Sequence, residues 1–432
     1  MKAFSYWLYE KVTDVTKEEI ESPENALAKN APANFVRLLI ARTCSKISDR
    51  LASPKTTLAW LLQTVGAPPI FLGLIVPLRE SGSLLPQVIL SNWLKRFSIR
   101  KWAWTIGALT QAAAIAGCAA VALTLTGRSA GITIVALIAV FSLARGISSV
   151  SAKDILGKTI PKSKRGQLTG WAGSVSGVIA IASAGFLLLY DASEGSTRQY
   201  AIFLGAASFL WCLAAAANAR IQEPSGETEE SDGLLAGLGE QIALLKEDAA
   251  FRDFLIVRAL AVSSGLSAPY IISLAHTELG GATYWLGVFI IAEGLAAMLT
   301  APLWGRWADK SSRRALRIAM ALVFCLLTSI VLYVTLFRQF EIGAIAFPAI
   351  LFLLGAAHTG VRVGRKTYVV DMAGGNKRTD YVAVSNTVIG VALLAVGGLS
   401  SLASLISVEA VLVLLGAMGV AGALSARFMR EV

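Results

Sequence analysis

The sequence predicts an all-α integral membrane protein, with twelve transmembrane helices arranged in two pseudo-symmetric six-helix halves. Three observations predict it. Of the 432 residues, 55% are hydrophobic and only 16% charged, and the mean hydropathy is +0.63, which is more apolar surface than one compact core can hide from water. The apolar residues run on continuously instead of alternating, which selects helices over a barrel of strands. Basic residues alternate between loops: segments 95–101, 153–165, 306–317 and 362–378 hold nineteen Lys and Arg, whereas the intervening turns hold only Arg128, Arg198 and Arg338. That bias sets orientation during insertion and predicts cytoplasmic termini. The same placement accounts for the net charge of +11 without nucleic acid as a partner.

The elements follow in order. Residues 1–34 read as a cytoplasmic extension, because Glu10, Asp14, Glu18, Glu19, Glu21 and Glu24 leave no apolar core for a signal peptide. Phe4, Trp7, Leu8 and Val12 suit an amphipathic helix resting on the bilayer or on inner loops. The N-terminal half, 35–220, divides into helices near 35–64, 69–94, 101–125, 131–153, 167–190 and 198–220. Residues 221–250 open with the Glu, Ser, Gly and Pro of a solvated linker. They then turn amphipathic (Leu234, Leu235, Leu238, Ile242, Leu244, Leu245), as a helix along the inner membrane face would. The C-terminal half, 251–432, divides near 251–276, 282–305, 315–337, 343–366, 379–403 and 408–428. Near an offset of 213–214, Trp93 matches Trp307, Lys153 matches Lys366, Arg165 matches Arg378 and Glu80 matches Glu293. Duplicated transporter halves of this kind rock about a central site.

The sharpest local signal is residues 305–314, Gly-Arg-Trp-Ala-Asp-Lys-Ser-Ser-Arg-Arg, with a weaker copy at 91–101, Ser-Asn-Trp-Leu-Lys-Arg-Phe-Ser-Ile-Arg-Lys. The pair resembles the major facilitator superfamily, whose loop between the second and third helices of each half carries Gly-x-x-x-Asp-Arg/Lys-x-Gly-x-Arg/Lys-Arg/Lys. Gly305, Asp309, Lys310 and Arg314 keep that register, Ser312 takes the place of the second glycine, and Arg313 falls one position early. In the N-terminal copy Lys95 stands where the aspartate is expected. The resemblance spans residues 35–428. It implies a bacterial permease of the cytoplasmic (inner) membrane: a monomer in the lipid bilayer that carries a small-molecule substrate by alternating access, coupled to protons. It also implies an inner gate in which Asp309, with Arg313 and Arg314, holds the cytoplasmic side shut. The N-terminal counterpart comprises Lys95, Arg96 and Arg100, with Lys95 or Arg96 turned toward an acid such as Asp371 or toward a helix C-terminus. The fifth and eighth helices of this superfamily face each other, and Gly166, Gly170, Gly173, Gly177, Ala180 and Ala184 form a small-residue stripe suited to close packing there. Gly185 is followed by Phe186, so the helix-5 Gly-Pro signature of drug/proton antiporters is absent.

Charges also occur where the bilayer disfavours them. Arg42, Lys46, Asp49, Arg50, Ser53 and Thr57 mostly share one face of the first helix, with Pro54 placed to kink it. Pro77, Arg79, Glu80 and Ser81 lie in the second helix, Arg145 in the fourth and Glu293 in the eighth. An ionised residue at mid-bilayer costs at least about 2.5–3.5 kcal/mol, so these helices must enclose a wet cavity in which charges pair. Asp49, Arg50, Arg79, Glu80, Arg145 and Glu293 are therefore the candidates for substrate binding and proton coupling. Two blander readings compete: Arg42 and Lys46 snorkel to the inner surface, and Asp49–Arg50 and Arg79–Glu80 are structural ion pairs. Arg145 resembles the helix-4 arginine of the family's Arg-x-x-x-Gly signature, with Ser149 at the glycine position. The excess of bases over acids in this group tilts the expectation toward an anionic or zwitterionic solute.

Other classes fare worse. Gly157-Lys158-Thr159 ends like a phosphate-binding loop, but Ala152 replaces its first glycine, which argues against ATP-driven pumping. With only His276 and His358, no His-x-x-x-Asp or His-Glu-x-x-His arrangement exists for a membrane-embedded enzyme or a metal site. Cys44, Cys118, Cys212 and Cys325 are scattered through apolar segments, as packing residues are. No cofactor is expected, and a non-transporting sensor or scaffold of the same fold is the main alternative.

Overall fold

The computed structural model describes residues 2–13, 30–161, 164–189, 197–226, 228, 245–372 and 377–431, which are helical with no strand among them. Helix α1 (Lys2–Thr13) docks on the protein itself. Tyr9 is buried, with its ring 5.2 Å edge-on to Phe35, while Trp7 remains largely exposed. Tyr9, outside the expected apolar set, is therefore its anchor.

The first span consists of two pieces, α2 (Ala31–Leu51) and α3 (Thr57–Thr64). Pro54 supplies no N–H and its ring crowds the preceding turn, so the expected kink is a full break across residues 52–56. The second span is also divided. A 3-10 turn at Pro69–Phe71 leads into α4 (Leu72–Leu84), and Pro86 separates α4 from α5 (Gln87–Lys95), where one continuous helix is expected from the sequence. The remaining spans of this half are α6 (Lys101–Thr124), α7 (Gly127–Thr159), α8 (Arg165–Leu189) and α9 (Thr197–Ala219).

The second half repeats the plan. Its first span is broken twice, into α10 (Ala249–Leu260), α11 (Ser263–Leu266) and α12 (Ala268–Leu279). Then come α13 (Thr283–Lys310), α14 (Ser312–Leu336), α15 (Gly343–Met372), α16 (Lys377–Ala403) and α17 (Val408–Ser425). The motif residues Gly305 to Lys310 are the last turns of α13, not a loop. The chain turns at Ser311, whose hydroxyl caps α14 by accepting from the Arg314 N–H at 3.2 Å. Among the described residues, nine helices are long and apolar enough to cross a membrane. The other three spans are the charged first, the proline-divided second and the fifth.

Two main seams join the halves, α4 against α16 and α8 against α13, and α3 also meets α12. The first seam depends on glycine. A Cβ at Gly397 would overlap the Pro77 ring, and the Ser81 hydroxyl donates to the Gly390 carbonyl at 2.8 Å. Gly397→Val is expected to lower the melting temperature of the purified protein, by about 1–3 kcal/mol of overpacking. Gly398→Val, at a position where an added Cβ meets nothing within 4 Å, should leave it unchanged.

The small-residue stripe of α8 does not act as expected. Its buried positions are Leu168, Ala172 and Ser176, whereas a Cβ at Gly170 or Gly177 meets nothing within 4 Å and Gly173 faces only Lys46 Nζ. The glycines sit on a different face of the helix from the packed one. The side chains of Ala180 and Ala184, and the amphipathic stretch at Leu234, Leu235, Leu238, Ile242 and Leu244, lie outside the described residues. The linker begins docked instead of solvated: Ile221 is buried, the Gln222 backbone and the Asn34 side chain exchange two hydrogen bonds of 2.9 Å, and the Glu223 side chain is fully enclosed.

Candidate functional site: a charged cavity between the halves

The break around Pro54 ends α2 in the middle of the protein and leaves Asp49 at a point that three spans can reach. Asp49 accepts from Arg79 of α4 at 2.7 Å and from Arg145 of α7 at 2.5 and 2.6 Å. Arg79 is only 4% exposed; its guanidinium lies 4.3 Å from the Phe141 ring centroid. Below it, the Ser142 hydroxyl bonds the carbonyls of Leu78 and Arg79 at 2.6 and 2.9 Å, tying α7 to α4. One carboxylate thus holds two guanidinium groups from different helices, the pairing that a buried charge requires.

This triad forms one wall of a cavity of about 280 Å³. The N-terminal half also contributes Arg50, Lys55, Thr56 and Glu80, and the C-terminal half contributes Glu293 and Ala297 from α13 and Arg362 from α15. All six sequence-level candidates therefore line a single cavity. Glu80 is exposed, forms no ion pair among the described residues, and lies within electrostatic reach of Arg79, Arg145 and Arg365. Neither adjacent pair, Asp49–Arg50 or Arg79–Glu80, forms an ion pair, since successive residues of a helix point about 100° apart.

Three ionisable residues that line or border the cavity, Arg362, Lys55 and His358, are not among those candidates. Arg362 was counted with the inner-loop basics, yet it faces the cavity because α15 continues ten residues beyond it. Lys55 Nζ donates across the halves to His358 Nε2 at 3.1 Å. His358 Nδ1 then carries the proton and donates to Ser264 Oγ at 3.0 Å, whose hydroxyl donates to the Ala261 carbonyl at 2.8 Å. The signal available in the sequence was a lysine directly after the helix-breaking proline.

The face away from the chain termini is sealed. Leu58, Trp60 and Leu61 of α3 are fully buried, as are Ile271 and Ile272 of α12. Trp60 packs 4.7 Å from His276 and 5.7 Å from Phe289, and Thr283 donates to Gln199. On the other side of the cavity Arg50, Glu80 and Arg362 are exposed, so the cavity opens toward the termini.

At that open face the motif residues are arranged differently from the expected gate. Asp309 and Lys310 are exposed at the end of α13, and Asp309 forms no ion pair among the described residues. Gly305 lies one turn earlier with open space beside it. Arg313 pairs with Glu431 instead and donates to the Met429 carbonyl at 2.9 Å; the Arg314 side chain is exposed. The Ser311 hydroxyl also donates to Glu431. That bond, with the Arg313 and Arg314 charges, holds the Glu431 carboxyl below the usual carboxylate range.

The N-terminal half has the matching device, which the sequence reading missed. Glu223 accepts from the backbone N–H groups of Arg100 and Lys101 at 2.7–3.0 Å, at the start of α6, and from Lys158 at 3.2 Å. Arg100 in turn pairs with Asp154 at 2.5 Å. Lys95 closes α5 and Arg96 follows it at the same face. In each half, a glutamate just after the sixth helix reaches the start of the third. Arg42 reaches the Ala152 carbonyl at 3.1 Å and Thr169 Oγ1 at 3.4 Å, and Lys46 the Thr169 carbonyl at 3.3 Å, near the termini-side ends of α7 and α8.

The family model described as Major Facilitator Superfamily matches residues 38–394. Solved structures of similar fold include the nucleoside transporter NupG, with TM-score 0.68 and 12% identity over 91% of this chain and 98% of that one. They include the inward-open xylose transporter XylE from E. coli, at 0.66 and 15% over 92% and 97%. A POT family transporter in complex with 5-aminolevulinic acid scores 0.69 at 11% identity, over 90% and 94%. At such identities the likeness is one of fold. No curated protein matches the chain in sequence.

Proposed function

This chain belongs to the Major Facilitator Superfamily, and from that premise we propose that it is a proton-coupled secondary active transporter moving a small solute by alternating access. One observation carries the reading: a single cavity, lined by ionisable groups from both halves, is closed at one face and open at the other. A volume of about 280 Å³ suits a solute of metabolite size. Rocking the halves about the α4–α16 and α8–α13 seams would close the termini side and open the opposite one. Asp309, without an ion pair among the described residues while the termini side is open, is then free to take a partner when that side closes. Glu80 and Glu293, at matching positions of the two halves, are the proposed proton carriers, and the proton symport of a D-xylose-proton symporter of like fold supports the coupling. The chain divides on this reading into an extension (1–34), two halves (35–220 and 251–432) and a linker (221–250) whose first residues are docked.

The test is transport in sealed proteoliposomes under an imposed pH gradient. Accumulation of a solute that collapses with a protonophore is expected, and flux indifferent to the gradient would remove the coupling. We propose further that both termini lie in the cytoplasm, which the basic-residue asymmetry favours, and that the membrane is the bacterial inner one. Reporter fusions after residues 128 and 194 should read as external, and fusions after 226 and 432 as internal. An external signal at 226 would break the two-by-six layout.

A further inference from the structure

We infer that the solute carried by this cavity is a small dianion bearing carboxylate or phosphate groups, bound between Arg50 of the N-terminal half and Arg362 of the C-terminal half. The inference rests on the transporter reading and names its substrate class. The charge inventory comes first. Five cationic side chains line the cavity (Arg50, Lys55, Arg79, Arg145 and Arg362) against the three carboxylates Asp49, Glu80 and Glu293, leaving an excess of two positive charges. How those charges are engaged comes second. Arg79 and Arg145 are spent on Asp49, and Lys55 donates to His358. Arg50 and Arg362 have no ion pair or side-chain hydrogen bond among the described residues, and they come from opposite halves. A cleft lined by one excess sign of charge concentrates the opposite sign, and free guanidinium forks match carboxylate and phosphate oxygens in pairs.

A third, independent observation points to an oxygen-rich ligand. The Thr56 hydroxyl lines the same cavity, is buried, and has no hydrogen-bond partner among the described residues. A buried donor without a partner is costly unless a ligand oxygen completes it. Binding a dianion also accounts for the inter-half geometry: a ligand held by Arg50 and Arg362 together is held by both halves, so its arrival favours the arrangement in which they close around it. A proton on Glu80 or Glu293 would raise the positive excess and tighten anion binding. By reciprocity the anion then promotes protonation, so anion and proton travel in the same direction.

The test measures the cavity's preference directly. In a variant with the four native cysteines replaced by serine, Ala297→Cys places a thiol in the cavity wall. A sulfonate-bearing and a trimethylammonium-bearing methanethiosulfonate are reacted with it, each rate normalised to that with a small free thiol. The anionic reagent should react about tenfold faster or more, and Arg50→Gln and Arg362→Gln should each cut that ratio severalfold. Succinate or glycerol 3-phosphate should slow the labelling where glycerol and choline do not, and which of the two protects distinguishes carboxylate from phosphate. A ratio at or below one, protection by the neutral or cationic solute alone, or protection by neither dianion overturns the substrate class. Flux of a neutral solute together with such a result leaves the transporter standing without the class. Protection by a dianion that never crosses the membrane leaves the class standing without the transporter.

Discussion

Replacing Asp49 by asparagine is expected to destabilise the protein by about 3–5 kcal/mol, the cost of removing one partner from a buried ion pair. The effect is large because one carboxylate serves two cations. Arg79 is almost wholly enclosed, and without Asp49 only the Phe141 face and the unpaired Glu80 carboxylate remain as neighbours of opposite character among the described residues. Fluorescence-detected size exclusion and thermal melting of the purified variant would read the loss as a lower yield of monodisperse protein and a lower melting temperature. Asp49→Asn combined with Arg79→Gln should recover part of it, because removing the enclosed cation removes most of the penalty. A double-mutant cycle among Asp49, Arg79 and the pair would give that coupling energy. Wild-type melting of Asp49→Asn would mean that the triad contributes nothing to stability.

The second large effect falls on function. Glu80→Gln is expected to abolish solute accumulation driven by a pH gradient while leaving solute exchange at equal pH largely intact. Glu80 faces the open cavity with no ion-pair partner among the described residues, so its neutralisation does not strand a buried cation in the way that loss of Asp49 would. A carboxylate that faces water in one state and is enclosed in another can change protonation between them. Counterflow and gradient-driven uptake measured on the same vesicles separate the two activities. Retained accumulation in Glu80→Gln would transfer the coupling role to Glu293, its counterpart in the other half.

Much of the site was legible as residue types and little of it as partners. Helical spacing put Asp49 and Arg50 on the polar face of the first helix, and charge within apolar segments marked Arg79, Glu80, Arg145 and Glu293. The helix geometry that made those residues visible also excludes Asp49–Arg50 and Arg79–Glu80 as pairs, because neighbours in sequence point apart. Asp49 instead finds Arg79 and Arg145, 30 and 96 residues away along the chain. Glu223 has the composition around it of a solvated linker, and its burial follows from docking against the start of α6 and Lys158. Arg362 looked like an anchor for topology and Arg313 like a partner of Asp309 in the gate, yet in the folded protein Arg362 lines the cavity and Arg313 pairs with Glu431.

By itself, the sequence determined the properties that depend on chain-local physics. Continuous hydrophobicity dictated membrane helices, alternating basic loops and the matched positions of the two halves dictated duplication, and Pro54 marked a weak point in the first helix. The break at Pro86 was not legible in this way, because Pro77, Pro302 and Pro348 lie inside continuous helices. Only the tertiary structure decided which charges pair, which face of α8 packs, and which arginines remain free in the cavity. Those outcomes depend on which helix faces meet across long separations, and burial, not composition, determines whether a charge must find a partner there.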